Sequence, residues 1–414
     1  MIQNVRGTKD LLAEETYELR FLETAIQNTV RLFGYNEIRT PIFERTEVFS
    51  RAIGEVTDIV NKEMYTFDDR GGNSITLRPE MTAALVRAAI QHNIVQGSHA
   101  EKLWYYGPFF RYERPQKGRQ RMFHQFGAEC LGSDKPESDA ELILMADQFI
   151  RTLSIGSYSL EINSIGDAET RRTYNEELVK YLNQHKSKLS KDSQERLDVN
   201  PLRILDSKSL DDQEILKNAP IITDFLKGDS KYCYDEIKSI LDEVGVYYKE
   251  QPKLVRGLDY YSDIVFEFKS DALGAQDAFG GGGRYNGLFE QLGGKPTPGV
   301  GFAMGIERLM LIMEAENLLP KDPGPDFYIV LGKPEESEYR SRVASMLRGR
   351  GYSVLYDLNR RSFKTQFKEA NKVNATYAIV LGSDEINNDL VSIKEMSSGE
   401  QRIMPFNELS TTNF

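Results

Sequence analysis

A basic loop between two apolar segments carries the residues of this chain whose types are best suited to chemistry. Residues 114–121 contain four basic side chains and no acidic one, although the whole protein has a formal charge of −11. The flanking segments 103–110 and 122–126 are apolar, and Pro115 and Gly118 interrupt the loop, a pattern that predicts a β-hairpin. A cationic loop of this kind suits a polyanion, such as a nucleotide phosphate or an RNA backbone.

Strand periodicity places polar side chains together beneath this loop. Alternate residues of a strand point to the same face, so Arg111 and Glu113 share one face before the loop. After the loop, one face carries Phe123, Gln125, Gly127 and Glu129. A polar face that contains a small residue is typical of the floor of a pocket rather than of a packed core.

Further charged and aromatic residues are candidates for the same pocket. They are the acids Glu80, Glu113 and Glu129, the cations Arg111, Arg119, Arg256 and Arg308, and the tyrosines Tyr260, Tyr261 and Tyr285. Because buried charge is costly unless it is paired, this set is either a structural ion-pair network or a site for a zwitterion and phosphates. No catalytic triad, P-loop or Rossmann motif accompanies it. Fixed arginines without a nucleophile suit phosphoryl or nucleotidyl transfer, which depends on positioning and charge stabilisation.

Length and composition limit the class of protein. With 414 residues, of which 40% are hydrophobic and 28% charged, the chain should form two or three globular domains. Cys130 and Cys233 lie too far apart in sequence for a disulfide framework or a zinc motif, and the four histidines form no metal motif. We therefore expect no metal site and a cytoplasmic location. No apolar run reaches the ~20 residues that span a membrane, so we expect no membrane association.

The elements that must position these residues are mixed in type. A helix is predicted at 13–33, ended by Gly34, and further helices at 82–92 and 138–153. Strands are predicted at 35–44, 74–80 and 157–166, beside the hairpin. The fold class is therefore α+β with an antiparallel sheet at its core. From about 167 to 250, charged helical periodicity predicts a helical insertion, which is either a solvated spacer or a substrate-contacting element.

A linker rich in proline, at residues 320–325, precedes a second domain. In that domain, strands at 326–332, 352–358 and 376–382 alternate with helices at 336–351 and 362–374, and a hairpin that includes 390–396 follows. This order predicts a parallel or mixed sheet. Nine basic residues against two acids between Arg340 and Lys372 indicate either a solvated helix face or a phosphate-binding surface.

Several motifs follow one another along almost the whole chain: VRGTKDLL (5–12), IRTPIFE (38–44), TLRPE (76–80), FRYERPQKGRQRMFHQ (110–125), LVRGLDYY (254–261), GGGRYNGL (281–288) and GFAMGIERL (301–309). Together they resemble the class II aminoacyl-tRNA synthetases and specifically the histidyl-tRNA synthetase family. The FRYERP segment is similar to class II motif 2, and GFAMGIERL is similar to motif 3. The most discriminating peptides are LVRGLDYY and GGGRY, which look like the family's two histidine-specific peptides.

This resemblance implies a domain arrangement and a reaction. Residues 1–323 would form the class II catalytic domain, an antiparallel sheet with flanking helices and the helical insertion at about 167–250. Residues 324–414 would form an α/β anticodon-binding domain. The implied enzyme is a homodimer with IRTPIFE at its interface. It converts ATP (with Mg²⁺), L-histidine and the tRNA specific for histidine to AMP, diphosphate and histidyl-tRNA.

The resemblance also implies roles for single residues in binding histidine. Glu80 and Thr82 would hold the α-amino group, and Gln125 would help to fix the amino-acid backbone. Glu129 and Tyr261 would bond the imidazole, in a cavity that Tyr260 and Tyr285 also line. Where the family usually has glycine after LRPE, this chain has Met81.

For ATP and tRNA, the implied roles fall mainly on arginines. Arg111 and Arg256 would be the catalytic residues, both close to the α-phosphate and both also histidine-binding, with Arg256 beside the histidine carboxylate. The other ATP-binding residues would be Glu113, Arg119, Phe123 and Arg308. The tRNA-binding residues would be Arg114, Gln116, Lys117, Arg360, Arg361 and Lys364.

Two other functions are weighed against this one. A histidine-binding regulatory subunit of ATP phosphoribosyltransferase shares the fold, but typically lacks the C-terminal domain and keeps neither LVRGLDYY nor the basic loop intact. A general RNA-binding module would explain the basic C-terminal helices but not the set of arginines, carboxylates and tyrosines. Histidine-dependent exchange of diphosphate into ATP would separate the three.

Overall fold

The computed structural model divides into two compact units, Met1–Pro320 and Lys321–Phe414. The residues it describes are 2–54, 57, 59–97, 99–274, 277–333 and 337–414. Within them, no helix combines the length and the apolar character that a membrane crossing requires.

The helices of the first unit surround its sheet. In chain order they are α1 (Ala13–Phe33), α2 (Thr46–Ile53), α3 (Thr82–Gln91), α4 (Pro136–Thr152), α5 (Ala168–Asn183), α6 (Lys191–Val199), α7 (Leu210–Leu216), α8 (Gly228–Glu243), α9 (Leu288–Gln291) and α10 (Ile306–Ala315). Local signals explain several boundaries. Glu15 accepts from the backbone N–H of Leu12 at the start of α1, and Gly34 ends α1 in the left-handed conformation, with φ of 73°.

An eight-stranded sheet forms the centre of the first unit. The strands of this unit are β1 (Asn36–Glu37), β2 (Phe43–Arg45), β3 (Tyr65–Asp68), β4 (Ser74–Leu77), β5 (Glu101–Phe110), β6 (Met122–Leu131), β7 (Ser159–Ser164), β8 (Lys249–Glu250), β9 (Ser262–Lys269), β10 (Ala278–Arg284) and β11 (Gly299–Gly305). The order in the large sheet is β1-β5-β6-β11-β10-β9-β7-β8. Its neighbours are antiparallel except β1 with β5 and β7 with β8. The expected α+β class is thereby confirmed, and so is the hairpin, as β5 and β6.

The two faces of the large sheet have different surroundings. On β6, Phe126, Ala128 and Cys130 are buried among the core residues of α1, α4 and α10. The intervening positions Gln125 and Glu129 point to the opposite face, as the period of two requires. The opposite face also packs against helices, since its Leu103, Tyr105 and Leu131 join a second core with α2, α3 and α9, but it additionally carries the polar side chains of Gln125 and Glu129.

The strand predicted at 35–44 is divided between two sheets. Residues Asn36–Glu37 pair with β5 of the large sheet, whereas Phe43–Arg45 pair with β4 in a small sheet of order β2-β4-β3. Pro41 lies between the two strands, and it has no backbone N–H to give to a ladder. One continuous strand is therefore a wrong prediction here, and the segment crosses from one sheet to the other.

The region between β7 and β8 is helical, as predicted, and consists of α5 to α8 with short 3₁₀ turns, including Pro201–Asp206. Asp167 begins it by accepting from Thr170 N at 2.7 Å. The fully buried carboxylate of Asp212 accepts hydrogen bonds from Ser190, Ser193 and Ser207. Those bonds tie α7 to the start of α6 and to the turn that follows it.

The second unit is an α/β domain with a mixed sheet. Its elements are β12 (Phe327–Leu331), α11 (Ser337–Gly349), β13 (Val354–Tyr356), α12 (Phe363–Lys372), β14 (Tyr377–Leu381), α13 (Ser383–Asn387), β15 (Leu390–Glu395) and β16 (Gln401–Pro405). The strand order is β13-β12-β14-β15-β16, in which the first three are parallel and the last two antiparallel. The sequence predicted each of these elements except α13. Residue 336 of the helix predicted at 336–351 lies outside the described residues.

Candidate active site

A cavity of about 260 Å³ opens on the polar face of the large sheet, between the β5–β6 hairpin, β10, β11 and the loop before β9. The predicted site residues that line it are Glu80, Thr82, Arg111, Glu113, Arg119, Phe123, Gln125, Arg256, Tyr260, Tyr261 and Arg308. These residues are up to 228 positions apart in sequence (Glu80 to Arg308). The fold therefore brings them to one place, with cations, carboxylates and aromatic rings on the same walls.

Two predicted site residues, Glu129 and Tyr285, do not line the cavity but are buried behind it, where Thr82 of the cavity wall contacts Glu129. The Tyr285 hydroxyl donates to Oε2 of Glu129 at 2.6 Å, and the Thr82 hydroxyl donates to Oε1 at 2.8 Å. Burial raises the pKa of Glu129 to about 8. In the ionised form, each oxygen keeps a further lone pair that can accept from a substrate N–H.

The carboxylate of Glu80 is fixed at the start of α3. Its two oxygens accept from Thr82 N at 2.7 Å and from Ala83 N at 3.0 Å. Such bonds satisfy amides that the helix itself leaves unpaired and hold negative charge at the positive end of the helix. Burial nevertheless raises the pKa of Glu80. A cationic group that enters the cavity would restore its charged form.

Three buried tyrosine rings form an aromatic wall. The ring centroids of Tyr260 and Tyr261 are 4.7 Å apart, and those of Tyr260 and Tyr285 are 5.8 Å apart. Burial raises the pKa of each hydroxyl. These groups are therefore neutral hydrogen-bonding partners, suited to a planar polar ring.

Arg256 reaches the cavity from the loop before β9. Its Nη1 donates to Oε1 of Glu267 on β9 at 2.5 Å. Two buried atoms of the cavity walls, Arg256 Nε and Gln125 Oε1, have no hydrogen-bond partner in the described part of the chain. An unpaired buried donor and an unpaired buried acceptor are costly. A ligand that carries both an anionic and a cationic group would satisfy them.

The basic loop between β5 and β6 is ordered by its own contacts. Gln116 and Arg119 exchange backbone hydrogen bonds of 3.0 and 2.9 Å, and Gly118 has φ of 74° in the turn between them. Arg119 Nη1 lies 2.9 Å from Glu113 Oε2, and Arg111 Nε donates to Pro79 O at 2.9 Å. The loop thus presents fixed guanidinium groups to the cavity.

Phe123 and Arg308 complete the wall on the side of the loop. The guanidinium of Arg111 stands 5.3 Å from the centroid of the Phe123 ring. Arg308, on α10, donates from Nε to Gly118 O at 3.3 Å and from Nη1 to Ala278 O. A flat aromatic face beside three arginines is suited to a purine base and its phosphates.

The predicted tRNA-binding residues lie outside the cavity. Arg114, Gln116 and Lys117 are exposed on the loop. In the second unit, Arg360, Arg361 and Lys364 are exposed at the junction between β13 and α12, where Arg361 also pairs with Asp357 and Glu369.

Glycines keep the cavity floor open. A Cβ built on Gly281 of β10 would stand 2.8 Å from Arg256 Nη1, closer than real contacts allow. A Cβ on Gly301 of β11 would overlap the Glu129 carboxylate. A larger residue at position 281 or 301 would therefore take the space that the side chain of Arg256 or Glu129 fills.

Met81, the departure from the family pattern, is buried with its sulfur turned towards Thr40 of the IRTPIFE segment. Its Sδ accepts from Thr40 Oγ1 at 3.4 Å and from Arg78 Nη1 at 3.7 Å. The backbone at Met81 has φ of −105°, which does not require glycine. Met81 thus lines the cavity, while its sulfur is held on the side of Thr40 and Arg78.

Sequence reasoning missed some residues of the cavity. Glu267, the partner of Arg256, and Glu307, which accepts from His124 N and faces its ring, both line it. Glu267 alternates with buried phenylalanines in β9, a signal that could have been read from strand period. Among the described residues, no group of three or more His, Cys, Asp or Glu side chains has the geometry of a metal site.

Comparison with known proteins gives a consistent result. A family model described as histidyl-tRNA synthetase matches residues 7–309, and one described as an anticodon-binding domain matches residues 326–412. A histidine–tRNA ligase of Microcystis aeruginosa is 48% identical over 401 residues, which cover 97% of this chain and 94% of the relative.

Solved structures agree with this result. The crystal structure of apo histidyl-tRNA synthetase from S. aureus has a TM-score of 0.84 at 38% identity and covers 99% of both chains. An ATP phosphoribosyltransferase regulatory subunit/histidyl-tRNA synthetase from Bacillus halodurans C, at 19% identity and a TM-score of 0.66, covers 92% of this chain and 99% of the other, and shows the fold alone. Since the family model spans the whole sheet and its cavity, and the relatives match nearly end to end, the chain belongs to the histidyl-tRNA synthetase family.

Proposed function

We propose that this chain activates L-histidine with ATP and transfers the histidyl group to its cognate tRNA. The observation that carries the proposal is the pair of unsatisfied buried atoms, Gln125 Oε1 and Arg256 Nε, on the walls of one cavity. The α-ammonium and α-carboxylate groups of an amino acid would satisfy an acceptor and a donor placed in this way.

Histidine would bind at the bottom of the cavity. Glu80, Thr82 and Gln125 are suited to the α-ammonium group, since they offer oxygen acceptors. The imidazole would lie against Tyr260 and Tyr261 and bond to Glu129, whose position Tyr285 and Thr82 fix. A site that hydrogen-bonds a polar side chain rejects analogues without it, because its own groups are then left unpaired.

ATP, bound with Mg²⁺, would lie against the basic loop. The base would stack on Phe123 beside Glu113, with Arg119 and Arg308 at the outer phosphates. The histidine carboxylate then attacks the α-phosphorus, and the bond to the diphosphate breaks as diphosphate leaves. Arg111 and Arg256 would stabilise the charge that gathers on the α-phosphoryl oxygens, which preorganised cations do at low cost.

The first step forms histidyl-adenylate, and in the second step this adenylate would react with tRNA. A hydroxyl of the terminal ribose of tRNA attacks the histidyl carbonyl carbon, and AMP leaves. Arg114, Gln116 and Lys117 are exposed for the acceptor end. We assign catalysis to residues 1–323, including the insertion at about 167–250, and anticodon binding to residues 324–414, where Arg360, Arg361 and Lys364 offer contacts to phosphates and bases.

We further propose a homodimer that works in the cytoplasm. Ile42, Phe43 and Phe67, on or beside the small sheet, are 43%, 54% and 48% exposed. Exposed apolar residues grouped in this way are typical of an interface. The free thiols of Cys130 and Cys233 fit a reducing compartment.

The test is exchange of labelled diphosphate into ATP, with and without histidine, followed by charging of tRNA. We expect exchange that depends on histidine and charging of the histidine-specific tRNA. A chain that binds histidine but supports no exchange would instead be a histidine-binding regulatory protein. A chain that binds RNA without either activity would be an RNA-binding module.

A further inference from the structure

The loop that carries Arg256, Tyr260 and Tyr261 is irregular. Residues 254–261 belong to no helix or strand, and β9 begins only at Ser262. A loop has no ladder of its own to fix it, so contacts from elsewhere must hold its side chains in place for the reaction.

Packing supplies part of this support, since Leu254, Tyr260 and Tyr261 are buried in a hydrophobic cluster, but a cavity lies on each side of the middle of the loop. Arg256, Leu258 and Tyr261 line the active-site cavity, and the same three residues line a second cavity of about 870 Å³. The far wall of the second cavity is formed by the helical insertion, through residues of α5 and of the turn after α6. These three residues of the loop therefore separate the active-site cavity from the second cavity.

The insertion reaches across the rim of this second cavity with a forked contact. Arg203, in the Pro201–Asp206 turn, donates to Asp259 Oδ1 from Nε at 3.2 Å and from Nη2 at 3.0 Å. The same Nη2 donates to the backbone oxygen of Gly257 at 2.8 Å. Asn200 adds a third bond to Asp259 Oδ1 at 3.2 Å. One guanidinium thus grips the loop on both sides of Leu258.

Two further contacts hold the second half of the same loop. Arg171, on α5, donates to Tyr261 O at 3.0 Å. The backbone N–H of Asp259 donates to Ile53 O at the end of α2. Asp259 is therefore a junction between the insertion, the loop and α2.

Isolated surface ion pairs contribute little, but this contact differs from them. The Arg203 side chain is 17% exposed and that of Asp259 is 30% exposed. The planar guanidinium serves two acceptors at fixed geometry, which a lysine cannot reproduce. It also fixes Gly257 and Asp259, on either side of Leu258, which lines both cavities.

We infer that Arg203 and Asp259 form a latch through which the helical insertion positions the loop 254–261 for adenylate formation. Both are positioning residues that act through Arg256 and Tyr261 rather than by touching the substrates. This inference rests on the proposed function, since it takes the roles of Arg256 and Tyr261 from there. It also gives the insertion a part in the first step of the reaction, before tRNA is bound.

The test compares Asp259→Asn and Arg203→Gln with the parent in the full-length protein. A displacement of catalytic groups by about 1 Å costs up to ~10²-fold in rate, so we expect single-turnover adenylation to fall ~10- to 100-fold. The Michaelis constant for histidine should rise, while that for ATP should change less. The double variant should be no slower than the slower single variant, because both substitutions open one latch.

The matched control is Asp198→Asn on α6. Asp198 is 77% exposed and pairs weakly with Lys186 at 3.8 Å, close in sequence to Asn200 but away from the loop. It should keep parental kinetics. Hydrogen exchange of the amides of residues 254–261 should speed up in Asp259→Asn and not in Asp198→Asn.

Arg203→Lys keeps the charge but not the planar guanidinium that bonds two acceptors, so it should show an intermediate loss of rate. It replaces Arg203→Gln in the test if that variant folds poorly. The latch would be overturned if the variants fold, form the adenylate at the parental rate and show the parental rate of hydrogen exchange at residues 254–261. A parent without histidine-dependent diphosphate exchange would instead overturn the proposed function, so the two failures are distinguishable.

Discussion

The hydroxyl of Tyr285 donates to Oε2 of Glu129 at 2.6 Å, although the two residues are 156 positions apart in the chain. With Thr82 on the other oxygen, this bond fixes a carboxylate beneath the candidate histidine site. Charged or neutral, that carboxylate is held in place before any substrate arrives.

Glu129→Gln should raise the Michaelis constant for histidine and leave that for ATP nearly unchanged. The amide keeps the shape of the carboxylate but replaces one acceptor oxygen with a donor, which leaves a buried group mispaired. Diphosphate exchange at varied histidine and ATP concentrations measures both constants. A folded variant with the parental histidine constant would remove Glu129 from the site.

The same carboxylate should make stability depend on pH. Burial raises the pKa of Glu129 from 4.5 to about 8, so the folded protein holds a proton that the unfolded chain has lost between these values. Stability from this group is present below pH 4.5 and is lost as pH rises to about 8. In Glu129→Gln, the slope of the free energy of unfolding against pH should be smaller by up to about 1.4 kcal/mol per pH unit.

Denaturant unfolding at several pH values measures this slope, with the exposed Glu290→Gln as the control. A slope that is the same in parent and Glu129→Gln would mean that the carboxylate is charged in the folded protein.

Arg256→His should slow adenylate formation far more than it weakens the binding of either substrate. Removal of one preorganised charge interaction costs ~10²–10³ in rate. Single-turnover adenylation gives the rate, and equilibrium titration gives the two affinities. A rate within a few-fold of the parent would show that Arg256 stabilises no developing charge.

Arg360→Glu combined with Lys364→Glu should weaken tRNA charging and leave diphosphate exchange intact. For every phosphate that the variant no longer binds, the dependence of tRNA binding on salt should fall by about one unit of the logarithmic slope. Lys321→Glu combined with Lys333→Glu, which reverses two exposed charges outside the stretch from Arg340 to Lys372, is the matched control. Equal charging by both variants would assign another role to this surface.

Phe43→Arg should convert the proposed dimer to monomers, because a charge would replace an exposed apolar side chain on the small sheet. Sedimentation velocity measures the oligomeric state. The exposed Tyr247→Arg, on the insertion, is the control and should leave it unchanged. A monomeric parent would rule out the homodimer at once.

Much of the fold was predictable because its signals are local. Gly34 marks the end of α1, and the apolar segments around residues 114–121 mark the hairpin. The division of residues 35–44 between two sheets was not predictable, because it depends on which strands lie nearby. The pairing of Arg256 with Glu267 also depends on β9 and β10 being neighbours, which pattern alone does not reveal. The contact of the insertion with Asp259 is of the same long-range kind.

The glycines of β10 and β11 have a consequence for mutagenesis. In most sites, alanine is the mild replacement that deletes a function while sparing the backbone. At Gly281 and Gly301 the added methyl would instead collide with Arg256 or Glu129. An alanine scan that skips glycines would therefore overlook two positions that cannot vary freely, and a library designed to accept analogues of the substrate amino acid should leave both unchanged.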